Sequence, residues 1–283
     1  MTRETRSKII DYLLLVPGVG YIIFFIAAAV IVTILQSFGL FSITGSSQFT
    51  LAAWKIVVSR EVLDSLVFSL TMGIGSSIGT TLVAFPIALY LRKPTPLQAA
   101  IGSVIKIPLF IPALVATFLI VNVISYDGLL NTALVFLHVL RKPARMLNDR
   151  WGIGVIVIQI WKNLPFVLLI ISASLAGIRD DTIDAARNLG AGRLAVVRFV
   201  YIPLAMPGIL VAMILMFIKA FGDYPITSLE GPIYPSSMAV RMYTTANLYQ
   251  EWNQAAVIGV MIFVATIFVV AGYSRLAGMV VRE

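Results

Sequence analysis

Six stretches of this chain are each apolar over roughly twenty or more residues, and no other feature constrains its fold as hard. They cover 12–36, 62–91, 105–125, 153–178, 204–222 and 255–277. A helix needs about 20 apolar residues to cross the hydrocarbon layer of a bilayer. That layer offers no water to backbone N–H and C=O groups, so a crossing segment must pair them internally, as a helix does. The pattern predicts an all-α integral membrane protein with six transmembrane helices, a single transmembrane domain over 1–283. Composition agrees: 59% of residues are hydrophobic and 12% charged, against about 45–50% and about 25% in soluble domains. Too little polar surface remains to clothe a water-soluble globule.

The net charge is +8. In a membrane protein such an excess marks cytoplasmic loops and contact with anionic headgroups rather than nucleic acid. The chain has no cysteine and one histidine, His138, which excludes disulfides, thiolate or histidine metal clusters and a Ser–His triad. The basic start MTRETRSKII precedes an apolar run far longer than the roughly 7–15 residues of a signal-peptide core, so 12–36 is read as an uncleaved first helix. With the N-terminus inside, eleven Lys and Arg fall in cytoplasmic segments and seven in outer ones, four of the seven between Arg141 and Arg150. This bias places both termini in the cytoplasm.

Two outer loops carry their own signals. The run NTALVFLHVL between Tyr126 and Trp151 is too short to span the bilayer, and is expected to lie at the interface or to re-enter. The loop between Asp223 and Asn253 holds Tyr224, Tyr234, Tyr243, Tyr249 and Trp252, as an interfacial aromatic belt does, or a covered docking face. Gly75 and Gly79 permit close helix packing, expected within the chain itself.

The loop at 178–203 is charged yet patterned. Asp180, Asp181 and Asp184 stand where a helix N-terminus favours carboxylates, with capping-box spacing between the last two. Ile183, Ala186 and Leu189 recur every three residues as one apolar face, and Gly190 stands where a left-handed residue would close the helix. A second run follows through Leu194, Val197, Val200 and Tyr201, with Pro203 and Pro207 leading into the fifth helix. The expected form is two short surface helices joined at a glycine corner. Its function is either lipid contact or docking of a cytoplasmic partner.

The segment resembles the EAA loop of permease subunits in bacterial ATP-binding-cassette importers. The family pattern is E-A-A, three residues, G, nine residues, I-x-L-P. Here Asp184, Ala185 and Ala186, then Gly190, then Val200, Tyr201, Ile202 and Pro203 keep its spacing. The run Leu14, Leu15, Val16, Pro17, Gly18, the G-L-L-N at 128–131 and the W-x-x-x-P-F at 161–166 are also similar to that family. The resemblance implies the fold of a type I importer permease, located in the bacterial inner membrane. It implies a coupling helix in which Asp184, Ala185, Ala186, Arg187, Gly190 and Pro203 meet a separate ATPase subunit. Further implied partners are a second, non-identical permease and a periplasmic or lipid-anchored substrate-binding protein. The chain has no phosphate-cradling G-x-x-x-x-G-K-[ST]. No cofactor is therefore expected on it, ATP and magnesium belonging to the ATPase. No catalytic constellation appears, so an enzyme is not expected.

Ionisable residues inside the bilayer are costly and point to function. Lys162 falls near the middle of the fourth helix, flanked by Gln159 and Asn163, while Lys219 and Asp223 stand at i and i+4 near the end of the fifth. These five form the expected pathway cluster, with Lys219 and Asp223 able to pair. Lys162 serves either the pathway or an interhelix hydrogen bond. The run FGDYPITSLEG resembles the polyamine, ferric-iron and oxyanion branch of the family, with a polyamine-type solute favoured. A proton- or sodium-driven carrier is the alternative, although it would want carboxylates in the centres of helices one, three, four and six, where none occurs.

Overall fold

The computed structural model describes residues 3–41, 47–93, 95–144 and 146–280, with side chains over 17–275. The side chains of Arg3, Arg6, Lys8, Leu14, Leu15 and Val16, together with Arg145 and Arg282, lie outside what is described. Among the described residues the regular elements are helices, and six are long and apolar enough to cross a membrane. They are arranged in two compact units, Met1–Ser59 with Met242–Phe263, and Arg60–Arg241 with Val264–Glu283.

In the first unit, α1 (Arg3–Ser37) exposes Tyr21, Ile22, Ile23, Phe24, Phe25 and Ile26, each more than half accessible. Such a face suits lipid. Thr33 lies against Gly259, and Phe38 stacks on Phe49 and Trp54 at 6.0 and 5.3 Å.

The second unit is built on three helices: α2 (Arg60–Tyr90), α6 (Ile153–Ala176) and α9 (Ile202–Phe221). Between α2 and α6 come α3 (Pro96–Ile105), α4 (Ala113–Ile124) and α5 (Leu129–Phe136). Between α6 and α9 come α7 (Asp180–Asn188) and α8 (Arg193–Val196). After α9 come α10 (Pro225–Glu230), α11 (Met238–Asn247) and α12 (Trp252–Val280), the last two divided between the units. The buried face of α2 is small and hydroxylic, with Ser65, Ser69, Gly73, Ser76, Ser77, Thr80 and Ala84 in helical register. Lipid is as apolar as leucine, so membrane helices associate through close backbone approach and hydrogen bonds rather than hydrophobic burial. Gly75 and Gly79 serve that approach: a Cβ on them would stand 3.1 and 2.7 Å from Ile156 and Ile160 of α6. Ser77 Oγ donates to the Met213 carbonyl of α9 at 2.9 Å.

The third crossing is broken. By length and apolar content its window is Ala113–Phe136, with Pro96–Phe110 a shorter apolar run. Yet the 3₁₀ turn Ile107–Phe110 bonds to Lys162, near the middle of α6. The break at Pro112 therefore lies beside the centre of α6, and α3 already occupies part of the crossing. The expected 105–125 falls inside this run. The NTALVFLHVL segment supplies α5, set off from α4 at Ser125–Gly128 and tied down by buried Asn131, whose side chain bonds Ser125 and Ala144.

Candidate functional site

The loop after α6 has the expected glycine corner. The Gly190 backbone has φ +87°, where a residue with a Cβ is strained. Its N–H donates to Arg187 at 2.9 Å, and that of Ala191 reaches back to Ala186 at 3.1 Å. Together these bonds form a Schellman closure, which satisfies the last carbonyls of α7.

Three local expectations change. No side-chain cap forms at the N-terminus of α7, whose cap residue is Arg179. The helix begins with Asp180, which puts Asp181 and Asp184 out of capping-box register. Asp180 instead pairs with Arg92 and Lys93 at 2.9 and 2.7 Å, and Asp181 with Arg179 at 2.7 Å. The apolar face is shorter than its spacing implied. Ile183 is buried and Ala186 half-buried against the bundle, but Leu189 is 90% exposed. The surface left open by α7 is thus Asp184, Ala185, Arg187 and Leu189, with Ala186 turned inward. Finally, the second run is no separate surface helix. It continues through a π turn, Val197–Tyr201, into α9 as one span, Arg193–Phe221. Pro203 sits just beyond that turn, half-buried in the first turn of α9.

Sequence reasoning passed over the residue that holds this loop in place. Arg92, just past α2, has a side chain only 12% exposed. Its guanidinium donates to the carbonyls of Leu175 and Ile178, to Asp180 Oδ1 and to the Tyr201 hydroxyl, and lies 5.4 Å from the Tyr201 ring centre. The Lys93 ammonium, followed by the Arg92 guanidinium, holds the Asp180 carboxyl below its ordinary range. Arg92 had counted only toward the charge bias.

The five pathway candidates do converge, although their partners differ from expectation. Gln159 and Asn163 are buried, and Asn163 donates to the Gln159 side chain at 2.8 Å. Asp223 lies within interaction range of Gln159 and Lys219, and Lys219 within range of Lys162. Lys219 and Asp223 do not bond each other directly. The helix ends at Phe221, which takes Asp223 off the i+4 position. The Asp223 carboxylate accepts the Ile226 and Thr227 N–H groups at the start of α10 instead, at 2.8 and 3.2 Å. Burial raises its carboxyl above the ordinary range even so. The Lys219 ammonium is exposed and stands 5.4 Å from the Phe166 ring centre.

Lys162 donates to the carbonyls of Pro108 and Ile111. Proline 112 has no N–H to offer the helical ladder at that break; the Pro108 carbonyl also takes the Ile111 N–H at 3.4 Å, and the lysine adds a charged donor to it and to the Ile111 carbonyl. Lys162→Met should therefore lower the thermal midpoint of the detergent-solubilised chain, by the roughly 1–3 kcal/mol of a buried polar group left unpaired. Lys162→Arg should retain most of it. A native midpoint for Lys162→Met would show that the break does not depend on the lysine's bonds to the Pro108 and Ile111 carbonyls.

A second polar corner joins α10 to the start of α6. Asp149 accepts the N–H groups of Trp151, Ile153 and Gly154, capping α6. Beside it Glu230, 1% exposed, accepts the Asn148 N–H at 3.2 Å. Burial pushes the Glu230 carboxyl up to about 7. An exposed glutamate releases its proton near 4.3. Between these values the native state binds more protons than the unfolded one, so this corner loses stability as pH rises from about 4.5 to about 7. Glu230→Gln should flatten that dependence, read as amide exchange over 146–154 and 225–231 at pH 5 and pH 8. A native pH ratio in the variant would assign the effect elsewhere.

The family described as "Binding-protein-dependent transport system inner membrane component" matches residues 80–282. The chain belongs to this family. The permease is 26% identical over 184 residues to the spermidine/putrescine transport system permease protein PotB of Escherichia coli (strain K12), covering 65% of this chain and 66% of PotB. It is 26% identical over 203 residues to the inner membrane ABC transporter permease protein YdcU of the same organism, covering 68% of this chain and 65% of YdcU. The matches thus span slightly less than two thirds of those relatives. The molybdenum transport system permease protein ModB of Azotobacter vinelandii is 24% identical over 221 residues, 77% of this chain and 95% of ModB. Among solved structures, a bacterial alginate ABC transporter in complex with alginate pentasaccharide-bound periplasmic protein has a chain that superposes with TM-score 0.78 at 15% identity, covering 99% of this chain and 98% of that one. A chain of the MetNI methionine ABC transporter gives 0.60 at 16% identity, covering 77% and 95%. The fold is that of ABC transporter permeases.

Proposed function

We propose that this permease is one transmembrane subunit of an ATP-driven importer and forms half of the substrate pathway. The 178–203 loop and both termini face the cytoplasm. A separate ATP-binding-cassette subunit, which holds ATP and magnesium, docks on α7. A second, non-identical permease completes the pathway, and a substrate-binding protein delivers the solute from the other side of the membrane. The observation that carries this reading is α7 itself. It is a short helix with one face fixed to the bundle by Ile183 and Ala186, and it presents Asp184, Ala185 and Leu189 outward. The alginate transporter, whose name includes a periplasmic protein, supports the class of delivery partner.

The solute is small and charged, and of polyamine type. The FGDYPITSLEG run and the likeness to PotB support that choice, while the likeness to ModB supports the charged class more broadly. The pathway side of this subunit is marked by exposed Lys219, with Gln159, Lys162, Asn163 and Asp223 as the polar cluster behind it. An exposed Lys219 in an apolar span is costly against lipid, and a hydrated pathway or a partner subunit removes that cost.

An affinity-tagged chain extracted from bacterial membranes should bring down an ATP-binding-cassette ATPase and a second permease of different sequence. Recovery of the chain alone, or only with copies of itself, would contradict the reading. Topology has its own test. The native chain lacks cysteine, so Asn188→Cys, on an exposed position of α7, should react with an impermeant maleimide in inside-out vesicles and not in intact cells. Labelling in intact cells would invert the orientation.

A further inference from the structure

We propose that Arg92 is the positioning residue of the coupling loop: it clamps α7 to α2, α6 and the π turn so that they move as one body. This rests on the reading of α7 as the ATPase-docking helix, and deepens it. The argument begins with the joint between α6 and α7. A helix leaves its last carbonyls without partners and its first N–H groups likewise, and its C-terminal end is negative while its N-terminal end is positive. The loop between Ala176 and Asp180 brings the negative end of α6 to the start of α7. The Arg92 guanidinium is set into that corner. It takes up the Leu175 and Ile178 carbonyls at the end of α6, and pairs with Asp180 in the first turn of α7. Its remaining contact, with the Tyr201 hydroxyl and ring, reaches the π turn below α9. One planar, forked cation thus joins the ends of four elements.

A point charge cannot do this. A lysine carries its donors on one atom, whereas the guanidinium spreads five N–H groups across a fixed plane. Arg92 is also largely enclosed, with 12% of its side chain exposed, whereas the neighbouring Lys93 side chain is 70% exposed and pairs with Asp180. Other contacts also link α7 to the bundle, through Ile183 and Ala186. Those apolar contacts hold one face of α7, and Lys93 holds Asp180 from the α2 side; Arg92 adds the link from that first turn to the end of α6 and to Tyr201.

The test uses the full complex in nanodiscs, with nitroxide labels at Tyr90→Cys and Asn188→Cys, two exposed positions on α2 and α7. Pulsed electron resonance reads the width of the distance distribution between them. With Arg92 in place the distribution should be narrow. Arg92→Gln should broaden it about twofold, as an element that loses its fixed contacts samples more positions, and Arg92→Lys should fall between. Retention of the ATPase, measured in the same preparation, separates the two claims. A native complex without ATPase sinks the importer reading while leaving the label widths to judge Arg92. If Arg92 serves stability alone, Arg92→Gln lowers yield but the surviving complexes keep the native width, and the proposal fails. Should Arg92→Gln not assemble at all, Asp180→Asn and Tyr201→Phe, which leave the two carbonyl bonds in place, must each broaden the distribution. Native widths in both would overturn it.

Discussion

Leu189→Asp should leave the permease folded and in the membrane, yet stripped of its ATPase. The Leu189 side chain is 90% exposed, so the substitution removes no contact within the chain, and stability should stay within the roughly 0.5 kcal/mol usual for surface changes. An isolated, solvent-facing leucine at the end of a docking helix gains only when a partner covers it. Full burial of a leucine contributes about 1.5–3 kcal/mol, and placing a carboxylate in the same pocket adds the cost of its dehydration. A loss of at least 10- to 100-fold in ATPase affinity follows, since about 1.4 kcal/mol is tenfold. Co-purification from detergent, scored as ATPase per permease, should fall accordingly while permease yield and melting behaviour hold. Native ATPase recovery would move the docking surface away from this end of α7.

The second large effect concerns the crossing of α6 and α9. A Cβ on Gly208 would overlap the Cβ of Ser174, an atom held close to the backbone that cannot swing aside. Even alanine must push the helices apart at this point. Overpacking of this kind costs roughly 1–3 kcal/mol, and occasionally more. Gly208→Leu should remove most of the monodisperse permease after detergent extraction, and Gly208→Ala should lower its thermal midpoint. Adding Ser174→Gly to the alanine variant takes away the opposing Cβ and should recover most of the loss. If the double variant is no better than Gly208→Ala, the two helices do not meet here as described.

The sequence made the six crossings plain, because an apolar run of bilayer length has few other uses. It also made Gly190 plain, since only a glycine or an occasional asparagine closes a helix at low cost with φ above zero. The errors have physical causes of the same kind. Ile183, Ala186 and Leu189 step by three residues, or 300° of helix rotation at 100° each. That leaves every third position about 60° behind the last, so Leu189 has turned away from the bundle. The Lys219–Asp223 pairing presumed that α9 ran on to Asp223, and it stops at Phe221. The third crossing read as one run because apolar residues continue across the breaks at Lys106 and Pro112, and hydropathy does not register a break. Arg92 was invisible for another reason. Two of its partners are backbone carbonyls more than 80 positions away, and a carbonyl is the same in every residue.

The π turn at Val197–Tyr201 fixes the phase between the docking loop and the span that follows. Its bond from the Ile202 N–H to the Val197 carbonyl skips one residue more than an α-helical bond does. The chain therefore carries a residue that a regular helix would not accommodate in the same length. Everything on the Arg193 side is offset by about 100° and about 1.5 Å relative to an unbroken continuation of α9. Deleting a single residue from this turn would lose little apolar surface. It would nonetheless swing exposed Leu194, and α7 before it, around the axis while Tyr201 stays in phase with α9, as a crankshaft machined one notch out of phase still turns but no longer meets its rod.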